Sequence, residues 1–205
     1  TLASLALSVY IFINRPMHWQ LGSSSIFIVD SLSGFIGVGI AFFATLITIY
    51  SFTFIEKSFG RFFGYVLLTL GGSFGAAFAN DLIALIVFWG LLAVTLYLLV
   101  NIQGTARASA SAKKALIIIG GTDGLMIFGA AVMWAVSGTF SMDKIRLPLS
   151  GTLPLLAYIS ILAASFAKAG AMPFHSWIPD VAEDGPVPVT AYLPASVDKL
   201  LGIYL

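Results

Sequence analysis

Cysteine is absent from these 205 residues. The chain therefore builds no disulfide, no iron–sulfur cluster and no thiolate zinc site. Charge is scarce: Asp, Glu, Lys and Arg make up 9% of the residues, against about 25% in a soluble domain. The net charge of +1 points neither toward nor away from nucleic acid. The two histidines, His18 and His175, lie far apart in sequence, which disfavours a metal site. No basic segment precedes the first apolar run, so nothing there reads as a cleavable signal. The glycines at 71, 72 and 75 sit inside an apolar run with no following lysine of the phosphate-loop type. What is present instead is apolar sequence: 59% of the residues, with a mean hydropathy of +1.01. This is the composition of a membrane protein, with the lipid bilayer as partner and no nucleic acid.

A membrane span needs about 20 apolar residues. The runs fall at Leu2–Asn14, Leu32–Ile55, Phe62–Ala79, Leu82–Val100, Ala115–Val136, Leu153–Met172 and Val187–Leu205. The first is short, and the chain opens and closes inside apolar sequence. A segment of a longer protein is expected, a natural short chain being the alternative. Lipid leaves backbone groups unsatisfied unless the chain is helical or forms a closed barrel. Runs this long and uniform do not suit alternating barrel strands, so the fold class is an all-α bundle of membrane-spanning helices in one domain. Small residues at Gly71, Gly72, Gly75 and Ala76 are expected to let helices approach closely. Between the runs lie polar connections: 15–31 with Ser23 to Ser25, a charged loop with Glu56, Lys57 and Arg61, a break at Asn80 and Asp81, 101–113, and 137–150. Alternating connections put Lys57, Arg61, Arg107, Lys113 and Lys114 on one side and Arg15, Lys144 and Arg146 on the other. The richer side is expected to be cytoplasmic.

The residues most able to carry chemistry are charges inside apolar runs, because such charges are costly unless they face a protein or water interior. Asp123 lies mid-run within GGTDGLM; the alternative role is a hydrogen bond holding helices together. Lys168 lies near the end of its run, with Ala164, Ser165 and Ala171 on its face. A lysine whose counter-charge can move is able to load and release a proton, while the bland alternative is an ammonium that snorkels to the interface. Pro173 is expected to interrupt that helix. Asp198 and Lys199 come about 17 Å into the last run. Adjacent residues diverge on a helix, so they are expected to meet different partners, one of them Lys168 or Asp123; a structural ion pair is the alternative. His175 suits proton shuttling, or an interfacial place beside Trp177. Asp180, Glu183 and Asp184 read as a solvated loop, or as a cation-gathering mouth.

The stretch from Lys168 to Ala191 resembles the antiporter-like subunits shared by respiratory complex I, energy-converting membrane-bound hydrogenases and Mrp-type sodium/proton antiporters. That family's pattern is approximately K-S-A-Q-x-P-x-x-x-W-L-x-D-A-M-x-G-P-T-P-V-S-A-L. Here it reads Lys168 to Pro173, then Trp177 to Asp180, then Gly185 to Ala191. Upstream, Arg61 to Tyr65 is similar to R-F-F-x-Y and Ala79 to Leu82 to A-D-N-L. Phe88, Trp89 and Tyr97 to Leu99 are similar to W-E-G-x-x-x-x-x-Y-L-L, and Ala112 to Asp123 to A-x-K-A-F-x-x-x-R-x-G-D. The resemblance implies part of the N-terminal half of a roughly fourteen-helix subunit, with Lys168 as a channel lysine on a broken helix. It also implies integral membrane and peripheral redox partner subunits, and a place in the cell's inner membrane. The family's glutamate after the tryptophan falls on Gly90, and its histidine in the next helix at or near Pro194. The ending from Pro194 to Leu205 is most like hydrogenase subunits of the Ech and carbon-monoxide-induced kind.

The expected function is proton or sodium translocation driven by electron transfer in partner subunits, this chain itself binding no cofactor. Asp123 or Asp198 is expected to supply the counter-charge missing at Gly90. The alternatives are a non-pumping membrane arm and a stand-alone member of a sodium/proton antiporter of the Mrp type.

Overall fold

The computed structural model describes residues 1–21, 24–55, 58–148 and 150–205, and the side chains of Leu21 and Ser24 are not described. Ser23, Glu56 and Lys57 lie outside the described residues. The helices are α1 (Leu2–Ile13), α2 (Ser31–Phe54), α3 (Phe59–Phe78), α4 (Leu82–Val100), α5 (Ala106–Ser137), α6 (Thr152–Ala169), α7 (Trp177–Asp184), α8 (Val187–Tyr192) and α9 (Asp198–Tyr204). Helices α2, α4, α5 and α6 are long and apolar enough to cross a membrane. Consecutive helices from α1 to α6 pack side by side, and α8 and α9 close the bundle against α2, α3 and α6.

The outer surface is apolar: Ile117 and Ile203 are 72% and 73% exposed. Hydroxyls turn inward instead, with Thr45, Thr69 and Ser73 bonded to carbonyls four residues back. This inversion of the soluble pattern marks a chain whose solvent is lipid. Helix contacts there rest on packing and internal hydrogen bonds rather than on hiding apolar surface from water. Gly72 lies against Leu91 and Leu92, and Gly75 against Phe88. Gly71 does not join them, since a side chain there would meet open space.

Both ends of the bundle hold structure that hydropathy did not separate from loop. The connection 15–31 contains an antiparallel hairpin, β1 (Met17–Leu21) with β2 (Ser24–Val29). Asn80 docks it: its backbone N–H donates to Ile26 O at 2.7 Å, and its amide donates to Ser25 O at 2.9 Å. The same amide donates to Asp143, whose own N–H donates back to Asn80 Oδ1 at 3.1 Å. The connections 15–31, 79–81 and 138–151 therefore share one end, as strict alternation requires. Asp30 caps α2 by accepting from Ser33 N at 2.8 Å, and the Ser33 hydroxyl accepts from Asp30 N–H.

At the other end, α5 begins at Ala106, nine residues before the apolar run at Ala115. Thr105 caps it by accepting from Ala108 N. Thirty-two residues span roughly 48 Å at the helical rise, well beyond a hydrocarbon core of about 30 Å. The projecting turns hold α7. Arg107 pairs with Glu183 and with Asp184, and Lys114 pairs with Asp180 at 2.7 Å. Asp184 also accepts from the Ser111 hydroxyl. The three acids expected in a solvated loop are thus helical and ion-paired, because the polar start of α5 is a helix that faces them.

Candidate ion-path site

Lys168 occupies the last turn of α6, where a cation complements the helix dipole. The helix stops at Gly170, three residues before Pro173, because Gly170 takes φ +69° and returns its N–H to Ala167. The Trp177 indole also donates to Ala167 O at 3.1 Å, pinning α7 under the helix end. Lys168 itself is 1% exposed. It does not snorkel: its ammonium turns into the bundle and donates to the main-chain oxygen of Trp89 on α4 at 3.1 Å. The Nζ lies 4.5 Å from the centre of the Trp89 ring, a cation–π arrangement.

Two carboxylates flank this lysine. Asp123, half-buried on α5, accepts from the Trp89 indole nitrogen at 2.9 Å. Asp198, 1% exposed, begins α9, and its Oδ2 has no hydrogen-bond partner among the described residues. Both act electrostatically on Lys168. Yet among the described residues no carboxylate oxygen lies within 4.0 Å of its nitrogen. The three groups carry one excess negative charge when all are ionised and none when one proton is added. Inside a low-dielectric bundle each uncompensated charge is expensive.

The seventh run was expected to be a continuous helix from Val187 to Leu205. It is divided by a π-helical turn at Leu193–Val197. Pro194 has no N–H to return to Thr190, and its ring crowds that carbonyl, so the turn widens. Asp198 N–H then reaches back five residues to Leu193 O. Tyr192, fully buried just before the widened turn, donates its hydroxyl to Val66 O at 3.3 Å.

Of the five residues singled out by sequence, the fold brings together Lys168, Asp123 and Asp198. Lys199 is exposed, about 100° round α9 from the buried Asp198, and His175 is exposed in the turn before α7. Neither reaches the cluster, because adjacent helix positions diverge and the His175 turn lies outside the bundle. Trp89 was missed as a site residue. Its signal was available: a buried indole N–H requires an acceptor, and α4 carries no polar side chain beyond Thr95 and the Tyr97 hydroxyl. Gly90 adds no side chain, and a Cβ there would meet nothing within 4 Å.

Residues 79–205 match the transmembrane family of NADH:quinone oxidoreductases and Mrp antiporters. The chain belongs to that family. Over 203 residues it is 32% identical to an Na(+)/H(+) antiporter subunit of Alkalihalophilus pseudofirmus, covering 94% of this chain and 25% of that protein. An Na(+)/H(+) antiporter subunit of Staphylococcus haemolyticus is 28% identical over 200 residues, covering 93% and 25%. The chain thus spans about a quarter of the length of these relatives. Among solved structures, a chain of an archaeal membrane-bound sulfane sulfur reductase superposes with a TM-score of 0.89 at 20% identity, covering 99% of this chain and 44% of that one. A chain of respiratory complex I from Thermus thermophilus gives 0.83 at 23% identity, covering 98% and 43%. A chain of the Mrp complex from Dietzia sp. gives 0.86 at 20%, covering 98% and 24%. These likenesses establish the fold: a membrane-spanning helical unit of the antiporter family.

Proposed function

We propose that the chain is part of an ion-translocating membrane protein in which Lys168 takes up and releases a proton inside the bundle. Asp123 and Asp198 provide the counter-charge that position 90 lacks. The observation that carries this reading is a lysine 1% exposed, held by a carbonyl and an aromatic face. It is flanked by two carboxylates that it does not touch. A tight ion pair holds a proton on the lysine, whereas two carboxylates at a distance let small movements of α5 or α9 change how strongly the ammonium is favoured.

In this reading the subunit works within a multi-subunit complex in the plasma membrane, and electron transfer in partner subunits supplies the drive. The hydrogenase-like ending from Pro194 to Leu205 supports the redox drive. The identity to sodium/proton antiporter subunits supports a second reading, exchange without electron transfer. Inverted vesicles carrying the full-length complex separate the two. Acidification on adding an electron donor, with no response to a sodium gradient alone, supports the first. Sodium-dependent pH change without any donor supports the second. Absence of both responses contradicts ion translocation.

A further inference from the structure

Trp89 touches two of the three charged groups of this cluster, Asp123 and Lys168. It is 1% exposed. Its indole N–H donates to Asp123 on α5 at 2.9 Å. Its main-chain oxygen accepts from Lys168 on α6 at 3.1 Å, and its ring face lies under the same ammonium at 4.5 Å. Helix α4 offers no acidic side chain of its own. We propose that Trp89 is a positioning residue, coupling Asp123 to Lys168 while keeping the two out of direct contact. This rests on the reading of Lys168 as the proton carrier.

Three physical effects act together here. A buried indole N–H left without an acceptor loses its hydrogen bond to water and gains nothing in return, so Trp89 orients toward Asp123 rather than away. An ammonium gains from the negative face of the ring, and a neutral amine does not. The ring is therefore held more firmly when Lys168 is charged. Because the indole is rigid, its N–H and its face move together, and a change of charge at Lys168 alters the hydrogen bond received by Asp123. The other charged groups near enough to act on the Lys168 ammonium are Asp123 on α5 and Asp198 on α9; α4 contributes only the indole and its carbonyl. A plain core tryptophan would also fill this space, but its removal would act on packing alone.

The test uses the full-length subunit in its assembled complex, with Trp89→Phe, Asp123→Asn and the double variant. Phenylalanine keeps a ring face and the carbonyl but removes the N–H. Trp89→Phe is expected to move the midpoint of the transport pH profile by about one unit, the size of a lost hydrogen bond to a charged group. Asp123→Asn moves it too, and Trp89→Phe then adds nothing. Independent packing effects add instead, and additivity, or an unmoved profile in Trp89→Phe, overturns the proposal.

Where Asp123→Asn abolishes transport, the infrared carboxyl band decides. The band lost in Asp123→Asn is expected to move in Trp89→Phe and in Lys168→Met, with no further shift in the pair combined. A band that stays in place in Trp89→Phe overturns the proposal. Should Trp89→Phe fail to assemble, benzothienylalanine at position 89 keeps the shape and replaces N–H by sulfur, and the same outcomes apply. The infrared readout does not depend on transport. Intact transport in Lys168→Met therefore sinks the carrier role, while an unmoved band sinks the role of Trp89.

Discussion

Gly202 on α9 presses so closely on α6 that a Cβ there would come within 2.5 Å of the Ala169 nitrogen and 2.6 Å of Ser165 O. These two helices carry Asp198 and Lys168, so the glycine sets how near the two charges approach. Replacing Gly202 by alanine must push α9 away from α6, since backbone atoms, not flexible side-chain ends, stand in the way. Overpacking of this kind costs about 1–3 kcal/mol. Gly202→Ala is therefore expected to lower the melting temperature and reduce transport, although it changes no charge. Gly71→Ala, on a helix face with nothing within 4 Å, is expected to leave both unchanged. Equal behaviour of the two variants would contradict the close approach.

Asp198 and Lys168 are expected to depend on each other for stability. Asp198→Leu leaves a buried lysine with less compensation, a loss of up to about 3 kcal/mol. Lys168→Met with Asp198→Leu removes both charges and is expected to recover most of that loss. Thermal unfolding of Asp198→Leu, of Lys168→Met and of the double variant checks this, and a double variant no more stable than Asp198→Leu would show that the two do not interact. Transport is expected to fail in all three.

The α5–α7 clasp predicts a difference between two neighbouring acids. Glu183 pairs with Arg107 at the surface, its side chain 70% exposed. Asp184, 14% exposed, accepts from both Arg107 and Ser111. Asp184→Ala strands a buried hydroxyl and a guanidinium bond, a loss of about 2 kcal/mol. Glu183→Ala removes an exposed pair of little worth. Hydrogen exchange in α7 is expected to rise clearly in Asp184→Ala and little in Glu183→Ala.

At the opposite end, acid is expected to loosen the hairpin. The Ser141 hydroxyl and the Asn80 amide hold the Asp143 carboxyl below the usual range. Burial pushes Asp30 up, but the Ser33 backbone and hydroxyl bonds outweigh it and hold it low. Groups with depressed folded values contribute fully above the ordinary carboxylate value of about 4. They lose that contribution as pH falls through the lower folded value. Stability is therefore expected to be flat above about pH 4 from these two groups and to fall below it. Asp143→Asn is expected to flatten part of that acid limb in thermal unfolding followed against pH.

The helices were legible because lipid demands long apolar runs: six of the seven runs correspond to single helices of the fold, four of which are long and apolar enough to cross a membrane. What hydropathy missed was polar structure. The turns Ala106 to Lys114 are rich in alanine, a strong helix former, but carry charge and so read as loop. The hairpin is short, and its Phe27 and Ile28 sit among serines. The widened turn at Leu193–Val197 was signalled by Pro194 within an apolar run. At the site, Lys168 and the two aspartates were visible as isolated charges. Either aspartate was expected to serve as counter-charge to Lys168; that both lie near it depends on which face of three separate helices turns inward. Lys199 shows the limit: one position from Asp198, it faces away.

Everything proposed for the site turns on Lys168 carrying a proton within the bundle. The most direct measurement is ion transport in inverted vesicles containing the full-length subunit, wild type against Lys168→Met, at matched assembly and under whichever drive the wild type responds to. Loss of transport with assembly and any partner electron transfer intact is the predicted result. Transport equal to wild type would contradict the account and make this bundle a membrane scaffold whose ion path, if present, avoids Lys168.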